Sequence, residues 1–441
     1  MTATSGRTTS EQDARTLLVH LGTAMVATGQ PINEVEDELA EVGRALGHPG
    51  TQIAAGPTGV MLSLSSGAPS AYEAVTGALR LDQAAQVREI RRDLLLGRVD
   101  AATADQRLLD LRHQPPRYPV WLANLGWVAV ATGIALILQP GWRNVVLAAL
   151  GALVVVALFR LAQRVTLLAT LLPVVAAFLV ACLVFTATDL GLVEGPLRTL
   201  LPPLAVLLPG ALLVTAMSEL ATGDMVAGSS RLIFGLVQVL LFTLGVVAAT
   251  RLFDLPREAL RNVRVDDLGW WTAPLGLVLI CAGIGLLESP PVRLLPWILV
   301  VLVLAFAAQG LGQHYSGPVL GSFLGAVAAS LGSYVVEAVV PDLPRLVVFL
   351  PSFWLLVPGS LGVLSATELA LDPGGATATV LGVVTLVSAL ALGLLVGTAA
   401  AQSLRSVLRR ARRIRVRTHL PLDHRPDDPA TGAPLAQETD R

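Results

Sequence analysis

From residue 118 to residue 404 the chain is a succession of long apolar runs separated by short polar turns. This pattern limits the fold more than any motif does. Ten runs can be marked, at roughly 120–138, 144–163, 166–187, 203–221, 232–250, 271–287, 293–310, 317–340, 346–367 and 376–402. Each is near the ~20 residues that carry an α-helix across a bilayer. Only 14% of the chain is charged, against about 25% in soluble domains, and mean hydropathy is +0.67. The expectation is an α-helical polytopic membrane protein with the lipid bilayer as its surroundings.

The residues ahead of the runs have ordinary charge density. Residues 1–10 are expected to be a disordered lead, polar and unlike a signal peptide. Residues 11–29 and 33–46 carry apolar positions at helical spacing and stop at Gly29 and Gly47. Ile53 to Leu64 reads as one or two strands, and 82–96 and 101–112 as two charged helices. Residues 11–117 thus read as a small α+β domain, in which His20 has a structural role. Pro115, Pro116 and Pro119 cannot continue a helix and mark its boundary. Tyr118 and Trp121 stand where an interfacial aromatic belt would begin.

Within the apolar part a segment returns. Pro202–Ala221, PPLAVLLPGALLVTAMSELA, matches Pro351–Ala370, PSFWLLVPGSLGVLSATELA, at a constant offset of 149 residues. Pro209-Gly210 falls on Pro358-Gly359, and Glu219 on Glu368. A weaker match sets Pro173–Ala181 on Pro318–Ala326. The runs then divide into two halves of five, 118–250 and 271–404, joined by a linking loop at 251–270. Five is odd, so the second half enters the membrane from the opposite side. Such inverted repeats are common in secondary transporters. Arg405, Arg409, Arg410, Arg412, Arg413, Arg415 and Arg417 follow the last run, and Arg107, Arg112 and Arg117 precede the first. An even number of spans puts both flanks on one side, which the positive-inside rule makes cytoplasmic. Residues 405–441 are expected to form a basic, then disordered, cytoplasmic tail.

Pro209 has no N–H to donate, so the Ala205 carbonyl is expected to be free, as is that of Trp354 ahead of Pro358. Either the break is a packing kink, with Gly210 and Gly359 allowing close contact, or each Pro-Gly opens a half-helix. In the second case a positive N-terminus lies inside the membrane, suited to a carboxylate ligand. Thr215 and Ser218, with Ser360 and Thr367 in the second copy, add hydroxyls on the same helices. Glu219 and Glu368 lie near helix C-termini, where the dipole disfavours a negative charge. Carboxylates in spans are candidate proton carriers. Asp224 is a third candidate for proton coupling, and Arg231 a candidate charge partner. His314 is placed in an external loop. Cys182 and Cys281 are far apart in apolar runs and read as small buried hydrophobes, so no metal site is expected. No P-loop is present, and a proton gradient is the expected energy source, with no cofactor.

These residues together resemble the bacterial threonine/serine exporter family, from about Thr16 to Leu404. The features that carry the resemblance are the N-terminal helix pair through Gly47, the Pro115–Pro119 elbow, the Leu-Pro-Gly segment with Glu219-Leu-Ala-Thr-Gly-Asp224, Gly228 and Arg231, and the second Val-Pro-Gly segment. The resemblance implies a bacterial plasma-membrane transporter rather than an enzyme. It implies efflux of small hydroxylated amino acids by proton antiport through ten spans, after a cytoplasmic N-terminal domain. A related two-chain arrangement, linked to dicarboxylate export, keeps small organic acids open as substrates. A membrane-anchored enzyme or sensor acting through its N-terminal domain is the alternative from another class. No nucleic-acid partner is expected, and a homo-oligomer is left open.

Overall fold

The computed structural model describes residues 10–253, 263–339, 347–349, 351–352, 367, 381–382, 384–401 and 403. The chain divides into two compact units, Met1–Thr398 and Ala399–Arg441. All contacts below lie within the first.

Helices α1 (Glu11–Ala27) and α2 (Ile32–Ala45) are followed by strands β1 (Gln52–Gly56), β2 (Gly59–Ser63) and β3 (Ser70–Ala74), then α3 (Leu81–Leu95) and α4 (Ala101–His113). The strands form an antiparallel sheet in the order β1-β2-β3, with Ala54 opposite Met61 and Met61 opposite Tyr72. Leu17, Leu18, Leu21, Val35, Leu39, Val60, Leu62 and Leu108 pack a single core between sheet and helices. His20 is held by Asp105, with Nδ1 2.6 Å from Oδ1. Strand β3 was not anticipated, because its small and polar residues carry no apolar alternation.

The apolar runs form helices α5 (Val120–Leu138), α6 (Trp142–Ala162), α7 (Thr166–Asp189), the short turns α8 (Pro196–Thr199) and α9 (Leu201–Leu204), then α10 (Gly210–Thr222) and α11 (Met225–Phe253). Helices α12 (Thr272–Leu287), α13 (Leu295–Ser316) and α14 (Pro318–Val339) follow, then α15 (Val384–Ala401). Among the described residues seven helices are long and apolar enough to span a bilayer, and the pair Pro196–Leu207 with Gly210–Thr222 makes an eighth, bent by 67°. Helix α12 is apolar and 16 residues long. The fourth span therefore starts at Pro196, upstream of its expected start. Helix α11 carries Arg251 on its last turn rather than in the linking loop, and His314 lies on α13 rather than in a loop. Large apolar side chains such as Leu150, Leu167, Ile233 and Leu240 are exposed along these helices. Soluble proteins rarely leave so much apolar surface open, and a polytopic membrane protein presents it to lipid.

Glycines set the closest helix crossings. A Cβ on Gly126 would stand 2.6 Å from the carbonyl oxygen of Gly283, and one on Gly283 would stand 2.6 Å from that of Gly126. Gly133 and Gly276 meet in the same reciprocal way, again at 2.6 Å. Helices α5 and α12 therefore run antiparallel in direct backbone contact. A second crossing occurs twice. Gly245 of α11 packs on Val174 O and Ala177 of α7, and Gly393 of α15 packs on Phe323 O and Ala326 of α14. These contacts set Ala177 on Ala326, one helical turn away from the register of the Pro173–Pro318 match.

At the end of the spans remote from α1–α4, buried Gln139 donates to the carbonyls of Glu194 and Val263 and accepts from Val265 N–H. Asn144 donates to Glu194 O and to Thr199 Oγ1. These side chains fasten residues 263–265 over the tips of α5 and α6.

Candidate functional site at the broken fourth span

The break follows from three residues. The Ala205–Leu207 turn is 3₁₀, Leu208 is extended, and Pro209 caps the first turn of α10. The Ala205 carbonyl expected to be free accepts the Leu208 N–H at 3.3 Å, because the tighter turn brings that donor one residue nearer. The break is thus a helix start and not a kink. Thirteen residues of α10 rise only about 20 Å, short of the ~30 Å hydrocarbon core. Helix α10 has the length of a span only together with Pro196–Leu207. Pro209 and Gly210 are buried, and Thr215 and Ser218 are half-buried along the helix. Val214, with Ala211 and Met217, packs on Ala305, Ala326, Ala329, Leu390 and Ala391, so α10 lies against helices of the second half.

Helix α10 ends on Gly223, whose φ of +97° suits glycine, and Asp224 N–H closes the end on Glu219 O at 2.9 Å. Helix α11 then returns along α10. Gly228 fits against Ala216 and Leu220, and Gly235 against Leu213. Arg231 lies between these two glycines on the same face and is thereby pressed onto Glu219. Its Nη1 donates to Glu219 Oε1 at 2.5 Å, with Glu219 1% and Arg231 8% exposed. The same Oε1 accepts the backbone N–H of Ile32 at 3.1 Å. Glu219 Oε2 is buried and has no hydrogen-bond partner among the described residues.

Ile32 opens α2, a helix that begins after Pro31 with no capping side chain of its own. Glu219 supplies the cap, and a carboxylate at a helix N-terminus is favoured by both the free N–H groups and the dipole. Sequence reasoning had no route to this contact. Its one trace is a helix that starts at a proline without Ser, Thr, Asp or Asn ahead of it. Two further carboxylates from the spans meet the N-terminal elements. Glu288, after α12, lies against the backbone N–H of Leu81 at the start of α3, and Glu337 of α14 pairs with Arg88 of α3. The cores interlock at the same level, Ala227 of α11 joining the N-terminal core and Leu81 the span core.

Asp224 lies in the tight turn between α10 and α11, within hydrogen-bond reach of Thr222 Oγ1 at 3.4 Å. Burial, and after it the nearby Asp224 charge, pushes the Glu36 carboxyl of α2 above its ordinary value, against the opposing pull of the Ala55 N–H. Thr367 of the second copy is buried. Pro358, Gly359, Ser360 and Glu368 lie outside the described residues.

A stack of long apolar helices, one of them broken over a buried Glu–Arg pair, defines a polytopic α-helical membrane protein. The family model for threonine/serine exporters matches residues 16–253, from α1 to the end of α11. The chain belongs to the threonine/serine exporter family. It is 33% identical over 136 residues to a "Probable threonine/serine exporter" of Mycobacterium tuberculosis, covering 31% of this chain and 26% of the relative. It is 28% identical over 171 residues to the threonine/serine exporter of Corynebacterium glutamicum, covering 38% and 34%. With pheromone-regulated membrane protein 10 of Candida albicans it shares 22% identity over 363 residues, or 76% of this chain and 32% of the relative. The chain spans about a quarter to a third of the length of these relatives. No solved structure matches it.

Proposed function

We propose that the chain exports threonine, serine or similar small amino acids by proton antiport across a bacterial plasma membrane. In this reading ten spans form two inverted halves, 118–250 and 271–404, and residues 11–117 form a cytoplasmic domain with both chain termini on the same side. The reciprocal Gly126–Gly283 and Gly133–Gly276 contacts support the inverted relation, since a two-fold axis in the membrane plane would generate them. The repeated crossings at Gly245 and Gly393 support equivalent halves.

The observation that carries the mechanism is Glu219, with one oxygen committed to Arg231 and Ile32 and the other buried without a partner among the described residues. An unsatisfied buried acceptor is costly, and it is where a proton would bind. The first turn of α10, with its free N–H groups, would take the substrate carboxylate. A proton arriving at Glu219 weakens its hold on Arg231 and on Ile32 N–H, loosening α2 from the end of the path. Pro209, Gly210, Thr215 and Ser218 line this half of the path, with Pro358, Gly359, Ser360, Thr367 and Glu368 as counterparts and Asp224 beside the exit.

Reconstituted protein is expected to move serine or threonine in response to a pH gradient. Glu219→Gln keeps an acceptor for Ile32 but cannot carry the proton, and it should abolish the response to the gradient. Gradient-driven flux at the wild-type level in this variant would remove Glu219 from the coupling. Competition by succinate but not by threonine would move the substrate to the organic acids.

A further inference from the structure

A cavity of about 540 Å³ opens between α3 and the turn that joins α12 to α13. Five arginines line it, from three separate parts of the chain: Arg88, Arg91 and Arg92 on α3, Arg117 in the proline elbow, and Arg293 just ahead of α13. Two lining acids oppose them. Asp82 is already bound by both forks of Arg80, at 3.0 and 3.1 Å, and Glu89 is exposed. Three of the arginines are paired with carboxylates, Arg88 with Glu337, Arg91 with Glu38 and Glu41, and Arg92 with Asp93. Arg117 and Arg293 are exposed, and among the described residues no carboxylate stands within ion-pair distance of either.

We propose that this cavity binds a phosphate-bearing anion. A carboxylate occupies one guanidinium fork, whereas the several oxygens of a phosphate accept from two or three converging forks. The cavity is wide enough for a whole headgroup. Its depth also fits, because Arg117 stands three residues before α5 and Arg293 two before α13, at the tips of the spans. Val120 and Trp121, exposed at the start of α5, continue from Arg117 with apolar surface. An occupant would tie α3 to the α12–α13 turn and hold the N-terminal elements against the spans. The phosphate belongs either to an anionic lipid or to a soluble molecule.

The test uses the full chain in neutral detergent, with thermal unfolding followed at rising concentrations of phosphatidylglycerol, phosphatidylcholine or inorganic pyrophosphate. Saturable stabilisation by phosphatidylglycerol alone identifies a lipid headgroup, and stabilisation by pyrophosphate identifies a soluble phosphate. In the R117A/R293A variant the half-saturating concentration should rise at least about tenfold, from the loss of charge-assisted hydrogen bonds. R164A, in an exposed turn elsewhere on the chain, should leave it unchanged. The single variants R117A and R293A give the same comparison if the double variant does not fold. Saturation by none of the probes, an unchanged half-saturation in R117A/R293A, or an equal loss in R164A would overturn the site.

Discussion

Glu219 holds two elements together through one oxygen atom, Arg231 of α11 and the start of α2. Breaking a buried pair from one side leaves the other charge uncompensated, at a cost of about 3–5 kcal/mol. E219A should therefore be strongly destabilised in thermal unfolding, while E219L/R231M, which removes both charges, should recover most of the loss. Glu36 gives a prediction of opposite character. Its folded-state pKa is raised above the ordinary 4.5 by burial and by Asp224, so the folded protein holds this proton to higher pH than the unfolded chain does. Stability is then lost as pH rises from about 4.5 through the folded value. Glu36→Gln still accepts the Ala55 N–H and should flatten that part of the pH–melting profile. A profile parallel to the wild type would rule out Glu36 as the source. An acid at the wrong end of an apolar helix made Glu219 legible in the sequence, and the short spacing to Arg231 made the pair a candidate. A backbone N–H 187 residues away has no side-chain signature, so the cap on α2 was not.

At the scale of elements, the fold depends on glycines that let helix backbones touch. Alanine at Gly126, Gly133, Gly276 or Gly283 would place a Cβ 2.6 Å from a carbonyl oxygen. Overpacking of this kind costs about 1–3 kcal/mol. The four variants should be destabilised to similar extents in detergent melts. G310A, with nothing within 4 Å of its Cβ, should be neutral or gain up to about 1 kcal/mol of helix propensity. Equal melting of all five would show that the α5–α12 seam does not limit stability. For the runs that fall on described residues, helix existence was legible from apolar run length, whereas ends were not; most of the run at 346–367 lies outside the described residues. The start of the fourth span at Pro196 was hidden because short turns and Pro196, Pro202 and Pro203 interrupt its helical pattern. The partner of each glycine was hidden because a sequence so rich in glycine offers many equivalent candidates.

For the whole molecule, the polar contacts sort into two levels. Glu219, Glu288 and Glu337 gather at the N-terminal elements, while Gln139 and Asn144 gather at the opposite tips with residues 263–265. Sidedness can be read by single-cysteine labelling with a membrane-impermeant maleimide in a C182A/C281A background. R143C should react in intact cells, and R293C only after lysis. The reverse pattern would turn the orientation over. The seam between α5 and α12 has one further consequence. Each helix offers the other the same two glycines at the same spacing, so the surface is its own complement. The two crossings act as a double latch: one pair of backbones is pinned at two points, so tilting α5 against α12 would have to open both at once.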